Sequence, residues 1–216
     1  LGNWPAPWGI EYRIDVVNGF VAFFVSLIGA VVLAYAPRSV AAELPGVRGN
    51  LFFTAFLLCL TGLLGMTVTG DVFNVFVFLE ISSLSSYALI ALGPDRRALS
   101  ASYQYLVMGT VGATFYVIGV GLLYMMTGTL NMVDMAERLQ PVLMTRTVLA
   151  GFGFLAVGIS LKLALFPLHL WLPNAYAYAP SVVTAFLAAT ATKVSIYVFV
   201  RFFYNIFGAQ YTFSML

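Results

Sequence analysis

Six apolar stretches constrain the fold of this 216-residue chain more than any other feature. An α-helix needs about 20 mostly apolar residues to cross the hydrocarbon core of a bilayer, because each residue adds only about 1.5 Å to its length. The sequence meets this criterion at 18–35, 51–69, 72–92, 100–126, a fifth stretch that starts near Thr147 and is interrupted around Phe166-Pro167, and 181–203. We therefore expect an all-α integral membrane protein with about six transmembrane helices, the fifth of them broken.

The composition supports the same class and excludes others. Hydrophobic residues make up 62% of the chain and charged residues 8%, against about 45–50% and about 25% in soluble domains. A formal net charge of +2 is too small to indicate nucleic-acid binding. One cysteine, Cys59, excludes an internal disulfide and a cysteine-ligated zinc or iron–sulfur site within the chain, and one histidine excludes bis-histidine haem ligation. We expect no metal and no cofactor here.

Prolines, glycines and charges between the apolar stretches suggest the domain organisation. Pro37 is expected to end the first transmembrane helix before a loop with Arg38, Glu43, Pro45 and Arg48. The polar connection between Thr127 and Arg146 has room for a short surface helix. The predicted segments are an interfacial N-terminal segment at 1–17, a first helix and loop at 18–50, a five-helix unit at 51–207 with its break near 165–175, and a tail at 208–216.

Ionisable residues inside the apolar stretches are the strongest indication of function. Lys162 and Lys193, the only lysines, both lie in such stretches, and Glu80 lies in the middle of the third. A charge at the centre of a membrane helix costs about 2.5–3.5 kcal/mol on insertion scales, so it marks a functional site by default. Structural alternatives stay open: Lys162 could extend its amine to the membrane surface, Glu80 could be a neutral acid or half of an ion pair, and Lys193 could be a counter-ion.

Polar residues accompany these three ionisable groups at helical spacing. Glu80, Ser83 and Tyr87 are separated by three and four residues, which places them on one face of the third helix. Thr190 and Tyr197 occupy the turns on either side of Lys193 and are expected on its face. The sequence therefore predicts a row of titratable and hydroxyl groups within the membrane, of the kind that moves protons.

The break in the fifth helix has its own candidate residues. Pro167 and Pro173 both interrupt the pattern, since proline removes a helix hydrogen bond. The freed backbone groups need protein or water as partners, so we expect the break to lie inside the bundle. A histidine side chain can change charge near neutral pH, so His169, between the two prolines, is predicted to be either part of a proton relay or a donor to a freed carbonyl.

Three motifs in this order resemble the antiporter-like subunits shared by respiratory complex I, membrane-bound hydrogenases and Mrp-type sodium/proton antiporters. They are 77–84 around Glu80, 161–175 around Lys162 and His169 with Ala179-Pro180 following, and 191–197 around Lys193. The segments 128–132 and 173–176 look most like the D-type component of the Mrp systems or its close hydrogenase relatives. The resemblance implies that Glu80 pairs with the broken-helix lysine Lys162, that His169 lies at the break, and that Lys193 is the lysine of the central axis.

The resemblance also implies an architecture and a context. Family subunits contain two inverted five-helix repeats, and 51–207 matches the first, so this chain is expected to be part of a longer or split subunit. The function implied is proton, or monovalent cation/proton, translocation beside other membrane subunits in a prokaryotic plasma membrane, with protons and Na⁺ as candidate ions. Alternatives are the proton-pumping module of an NADH:quinone oxidoreductase or membrane-bound hydrogenase, a structural assembly subunit, or, with little support, a transporter of a small organic solute. We expect no redox or hydrolytic centre in the chain itself.

Overall fold

The computed structural model describes residues 4–44 and 49–208, which form eight α-helices and short helical turns. The helices are α1 Val16–Glu43, α2 Gly49–Val68, α3 Val72–Ala91, α4 Arg97–Thr127, α5 Met132–Leu139, α6 Arg146–Leu163, α7 Trp171–Tyr178 and α8 Ser181–Arg201. A π-helical turn, Phe202–Ile206, extends α8. Six of these described helices, all except α5 and α7, are long and apolar enough to cross a membrane, which confirms the predicted fold class.

Some expectations concern positions that the structure does not describe. Residues 1–3 of the N-terminal segment, Pro45 and Arg48 of the first loop, and 209–216 of the tail lie outside the described residues. The short surface helix expected between Thr127 and Arg146 is present as α5.

The first helix is longer than the sequence predicted. We expected Pro37 to end it near Tyr35, but α1 continues through Pro37 to Glu43. A proline inside a helix removes one backbone hydrogen bond, but contacts further along the chain can hold the following turns in place. Ser39 donates a hydrogen bond of 3.0 Å to Glu43, and the Ser181 backbone N–H donates one of 2.9 Å to the same carboxylate. The end of α1 is thus fixed to the start of α8.

Glycines set the distances between the packed helices. α3 lies between α2 and α4, α4 also packs on α6 and α7, and α8 packs on α1, α2 and α6. A Cβ atom on Gly62 would lie 2.6 Å from the Ser82 backbone nitrogen, so α2 and α3 touch through their backbones. Gly158 of α6 and Gly112 of α4 are equally close, since a Cβ atom on Gly158 would lie 2.7 Å from the Gly112 carbonyl oxygen. Small residues permit this close approach in membrane helices.

The glycines of α4 do not all serve helix packing. Gly109, Gly112 and Gly119 face neighbouring helices, but a Cβ on Gly121 would meet nothing within 4 Å. Gly121 points away from the interface because it lies two residues beyond Gly119, about 200° further round the helix.

Extended segments close one end of the bundle. The Arg13 N–H donates to the Val68 carbonyl over 2.8 Å, and the Met132 N–H donates to the Gly70 carbonyl over 2.9 Å, so three connections lie side by side. Asp71, at the N-terminus of α3, accepts a hydrogen bond from the Asn74 backbone N–H, and burial raises the pKa of its carboxyl group. At this end of the bundle, the connecting segments are therefore joined by backbone hydrogen bonds, and α3 starts directly after them.

Replacing Gly62 with alanine should destabilise the bundle. Its Cβ would overlap backbone atoms of α3, which cannot rotate away, and overpacking of this kind costs about 1–3 kcal/mol. Gly153→Ala is the matched control, because a Cβ at Gly153 meets nothing within 4 Å. Thermal unfolding in detergent should show a lower midpoint for Gly62→Ala alone; equal midpoints for the two variants would contradict the close contact.

Candidate functional site

Lys162 lies buried where α6 faces α3. It occupies the last turn of α6, and its side chain is 5% exposed. The Nζ atom donates a hydrogen bond of 2.7 Å to Ser83 Oγ and lies 3.3 Å from the Tyr87 hydroxyl and 3.8 Å from Glu80 Oε1. The structure thus brings together Lys162 and the three residues of the predicted polar face of α3.

The contact between Lys162 and Glu80 is an ion pair without a hydrogen bond. A separation of 3.8 Å exceeds hydrogen-bond length, and Glu80 Oε1 is buried with no hydrogen-bond partner among the described residues. The Glu80 side chain is 28% exposed and borders a groove of about 270 Å³ between α3 and α4, lined also by Thr110 and Thr114. A movement of about 1 Å would let the amine bond the carboxylate directly.

The buried position of Lys162 decides one open alternative. An amine that reached the membrane surface would be exposed, whereas this one is enclosed by hydroxyl groups of α3. Extension of Lys162 to the surface is therefore excluded in this structure. The alternative of a purely structural ion pair with Glu80 stays open, because the same geometry would serve it.

The helix break starts earlier than the prolines suggested. α6 ends at Leu163, and Ala164 takes a left-handed conformation with φ 57°. Pro167 lies in the non-helical connection, but Pro173 lies in the first turn of α7, which begins at Trp171. Backbone N–H groups of a first helical turn have no partner within the helix, so proline is tolerated there. Pro173 is part of the second half of the broken helix and does not interrupt it.

The connection at the break is more exposed than expected. Phe166 is 80% and Leu170 75% exposed in the described chain, so the expectation that the break lies inside the bundle is wrong for these residues. The reason is that its backbone finds partners locally. The Leu165 N–H donates to the Ser160 carbonyl, and the Trp171 indole N–H donates to the Leu161 carbonyl, each over 3.0 Å.

His169 is near the break but not joined to the lysine. Its ring lies against Phe166, with centroids 5.5 Å apart, and its Nδ1 atom is buried without a hydrogen-bond partner. Within the described part of the chain, no hydrogen bond or ion pair connects His169 to Lys162. A role for His169 in proton transfer stays a prediction.

Lys193 lies on the surface of the described bundle. It is in the middle of α8, and its Nζ atom donates to the Ala188 carbonyl over 2.5 Å and lies 3.3 Å from Thr192 Oγ1. No carboxylate lies within ion-pair distance among the residues the structure describes, so the alternative role of Lys193 as a counter-ion has no partner there. Lys162 and Lys193 are not in contact.

Thr190 and Tyr197 do not accompany Lys193 as the sequence suggested. Both are buried, and they donate to the Phe186 and Thr67 carbonyls over 2.7 and 3.0 Å. On a helix of 3.6 residues per turn they are rotated by roughly 40–60° from Lys193, which is enough to turn them into the core while Lys193 faces outward. The Tyr197 bond joins α8 to α2, the Thr190 bond lies within α8, and neither hydroxyl is a hydrogen-bond partner of the Lys193 amine.

An aromatic stack beside Lys162 was missed in the sequence. The rings of Tyr105 and Trp171 are parallel with centroids 3.9 Å apart, and Tyr105 meets Tyr87 edge-on at 4.7 Å. One signal was available: a tryptophan directly after a helix break can donate its indole N–H to a freed carbonyl. The stacking partner on α4 could not be identified without the tertiary structure.

These features define a helical membrane protein with a buried lysine set against a carboxylate beside a broken helix. A family described as "NADH:quinone oxidoreductase/Mrp antiporter, TM" matches residues 69–216, and the chain belongs to this family. The predicted resemblance is thereby confirmed.

Individual relatives agree with the family. The chain is 48% identical over 204 residues to the N-type component of the NADH-quinone oxidoreductase of Desulforudis audaxviator, and 35% identical over 209 residues to the D-type component of the Na(+)/H(+) antiporter of Alkalihalophilus pseudofirmus. These matches cover 94% and 96% of this chain but 40% and 42% of the relatives. It also superimposes on a chain of the membrane-bound sulfane sulfur reductase, an archaeal respiratory membrane complex, with a TM-score of 0.88 and 34% identity, covering 95% of this chain and 41% of that one.

Replacing Ser83 with alanine should destabilise the site more than the same change nearby. Ser83→Ala removes the closest partner of a buried amine, and a hydrogen bond to a charged group is worth about 1.5–3 kcal/mol. Ser85→Ala is the control, because Ser85 bonds only the Ile81 carbonyl of its own helix. Unfolding midpoints in detergent should fall further for Ser83→Ala; the reverse order would contradict the assigned contact.

Proposed function

We propose that this chain moves protons, alone or in exchange for a monovalent cation, as part of an antiporter-like subunit in a multi-subunit complex of a prokaryotic plasma membrane. The observation that supports this most strongly is the buried Lys162 amine, held by two hydroxyl groups at 3.8 Å from an unpartnered carboxylate oxygen of Glu80. Membership of the NADH:quinone oxidoreductase/Mrp family supports it independently.

The geometry of Lys162 and Glu80 suits a proton carrier. Burial favours a neutral amine, whereas a nearby carboxylate favours the ammonium form. At a separation of 3.8 Å between Lys162 Nζ and Glu80 Oε1, neither the neutral amine nor the ammonium form is strongly favoured. Bringing the two groups together would favour a proton on Nζ, and separating them would favour its release. A small movement of α3 relative to α6 would therefore drive proton transfer.

Lys193 is the proposed next carrier. It lies in the middle of α8 and faces away from the described bundle, where a charge in contact with lipid is costly. Another part of a longer subunit, or a neighbouring membrane subunit, is therefore proposed to cover it. The relatives named as subunits, and the 40–42% of their length that this chain spans, support partners of this kind.

Two further functions remain candidates. A proton-pumping module of an NADH:quinone oxidoreductase is favoured by the 48% identity to the N-type component of such a complex. A structural role, in which Glu80 and Lys162 only hold α3 against α6, is favoured by the enclosed position of the amine. The redox proteins that copurify with the native complex would separate an exchanger from a pump.

Substitution of Lys162 and Glu80 tests the proposed function. Lys162→Ala and Glu80→Gln should each lower proton transport at least about tenfold with the complex still assembled, because each removes one half of the proton-binding pair. Transport would be measured by fluorescence quenching in inverted vesicles that contain the full-length subunit and its complex. Glu137→Gln is the matched control, since Glu137 lies on the surface helix α5, and should transport as wild type.

The same variants distinguish transport from structure. Unchanged transport in both would reject the assignment. Loss of the assembled complex in both, restored by exchanging the two residues as Glu80→Lys with Lys162→Glu, would favour the structural role instead.

A further inference from the structure

Gly109 faces the Lys162 site from α4. A Cβ atom at this position would lie 1.9 Å from the Tyr87 hydroxyl oxygen, 3.0 Å from its Cζ atom and 3.2 Å from Lys162 Nζ. The first distance is far below van der Waals contact, so an alanine cannot occupy this position unless Tyr87 moves. The space used by the Tyr87 hydroxyl beside the amine exists because residue 109 has no side chain.

Tyr87 is not free to move out of the way. It is buried, and its ring meets the Tyr105 ring edge-on at 4.7 Å. Tyr105 is itself stacked on Trp171 at 3.9 Å. Trp171 is fixed by its indole N–H, which donates to the Leu161 carbonyl, next to Lys162 in the chain. The stack therefore ties the Tyr87 ring to the backbone that carries the amine.

We propose that Gly109 is a positioning residue for proton transfer: by lacking a side chain it lets the Tyr87 hydroxyl meet the Lys162 amine and so holds that amine apart from Glu80. This inference rests on the proposed function. The amine has three polar neighbours, and the two hydroxyls are nearer than the carboxylate. With the Tyr87 hydroxyl displaced and a methyl group 3.2 Å from Nζ, the amine is driven towards Glu80 and the separated state is lost.

The position of Gly109 differs from that of the other glycines on α4. Gly112 and Gly119 lie against Leu161, Gly158, Leu155 and Gly151 of α6, and serve helix packing alone. Gly109 is the one among these described α4 glycines whose Cβ position borders the polar atoms of the site. This difference separates a local effect on the amine from a general effect on packing.

The test compares Gly109→Ala with Gly121→Ala in the full-length subunit within its complex. Both changes add one methyl group to α4, but a Cβ at Gly121 meets nothing within 4 Å. Proton transport by fluorescence quenching in inverted vesicles should fall at least about tenfold for Gly109→Ala and stay at the wild-type rate for Gly121→Ala. Equal rates for the two variants would overturn the proposal.

A second variant tests the mechanism. Tyr87→Phe removes the oxygen that a Cβ at 109 would overlap, and raises the closest distance from 1.9 to 3.0 Å. Gly109→Ala combined with Tyr87→Phe should therefore transport as well as Tyr87→Phe alone, and should recover its unfolding midpoint in detergent. If Gly109→Ala does not assemble, recovery of assembly by Tyr87→Phe supports the proposal. A double variant that transports more slowly, unfolds at a lower midpoint or assembles less well than Tyr87→Phe alone would overturn it.

Failure of this inference is distinguishable from failure of the proposed function. Wild-type transport by both Lys162→Ala and Glu80→Gln would reject the proposed function and with it any role for Gly109. Loss of transport in Lys162→Ala, together with wild-type transport in Gly109→Ala, would leave the function in place and overturn the positioning role alone.

Discussion

The buried amine of Lys162 is the constraint on which the rest of the structure depends. A charge or an unpaired amine inside an apolar bundle is costly, so every element around it supplies a partner or makes room for one. α3 supplies two hydroxyls and a carboxylate at helical spacing, and α4 supplies a glycine where any side chain would displace the Tyr87 hydroxyl. The amine is consequently held by neutral groups, with the acid close but not bonded.

The break after α6 places that amine, and part of the freed backbone finds new hydrogen-bond partners. The left-handed Ala164 ends the helix just after the site, and Trp171 satisfies a carbonyl that the missing turn would have paired. The same tryptophan stacks on Tyr105, and through it on Tyr87. The Trp171 side chain thus bonds the backbone at the break and also contacts the aromatic rings beside the amine. The geometry of the connection is therefore linked to the position of the amine.

The two lysines occupy opposite situations in one fold. Lys162 is enclosed by its own bundle, whereas Lys193 faces outward from the middle of α8, with only its own helix as a hydrogen-bond partner among the described residues. Lys162 has all its polar partners within the described residues. In the proposed function, Lys193 lies at an interface with another part of the subunit or with a neighbouring subunit. This asymmetry agrees with a chain that spans about 40% of the length of its relatives.

The sequence by itself determined the class, the six spans, Glu80 with Ser83 and Tyr87 on one face, and Lys162 at a helix break, because bilayer thickness and helical periodicity act along the chain. It misjudged Pro37, because contacts with α8 hold the turns beyond it, and Pro173, because the first turn of a helix tolerates proline. It also misjudged Thr190 and Tyr197, since a rotation of roughly 40–60° decides between core and surface. Tertiary structure alone decided that Lys162 rests on hydroxyls 3.8 Å from Glu80, and that Gly109 makes the space, because those contacts join residues far apart in sequence.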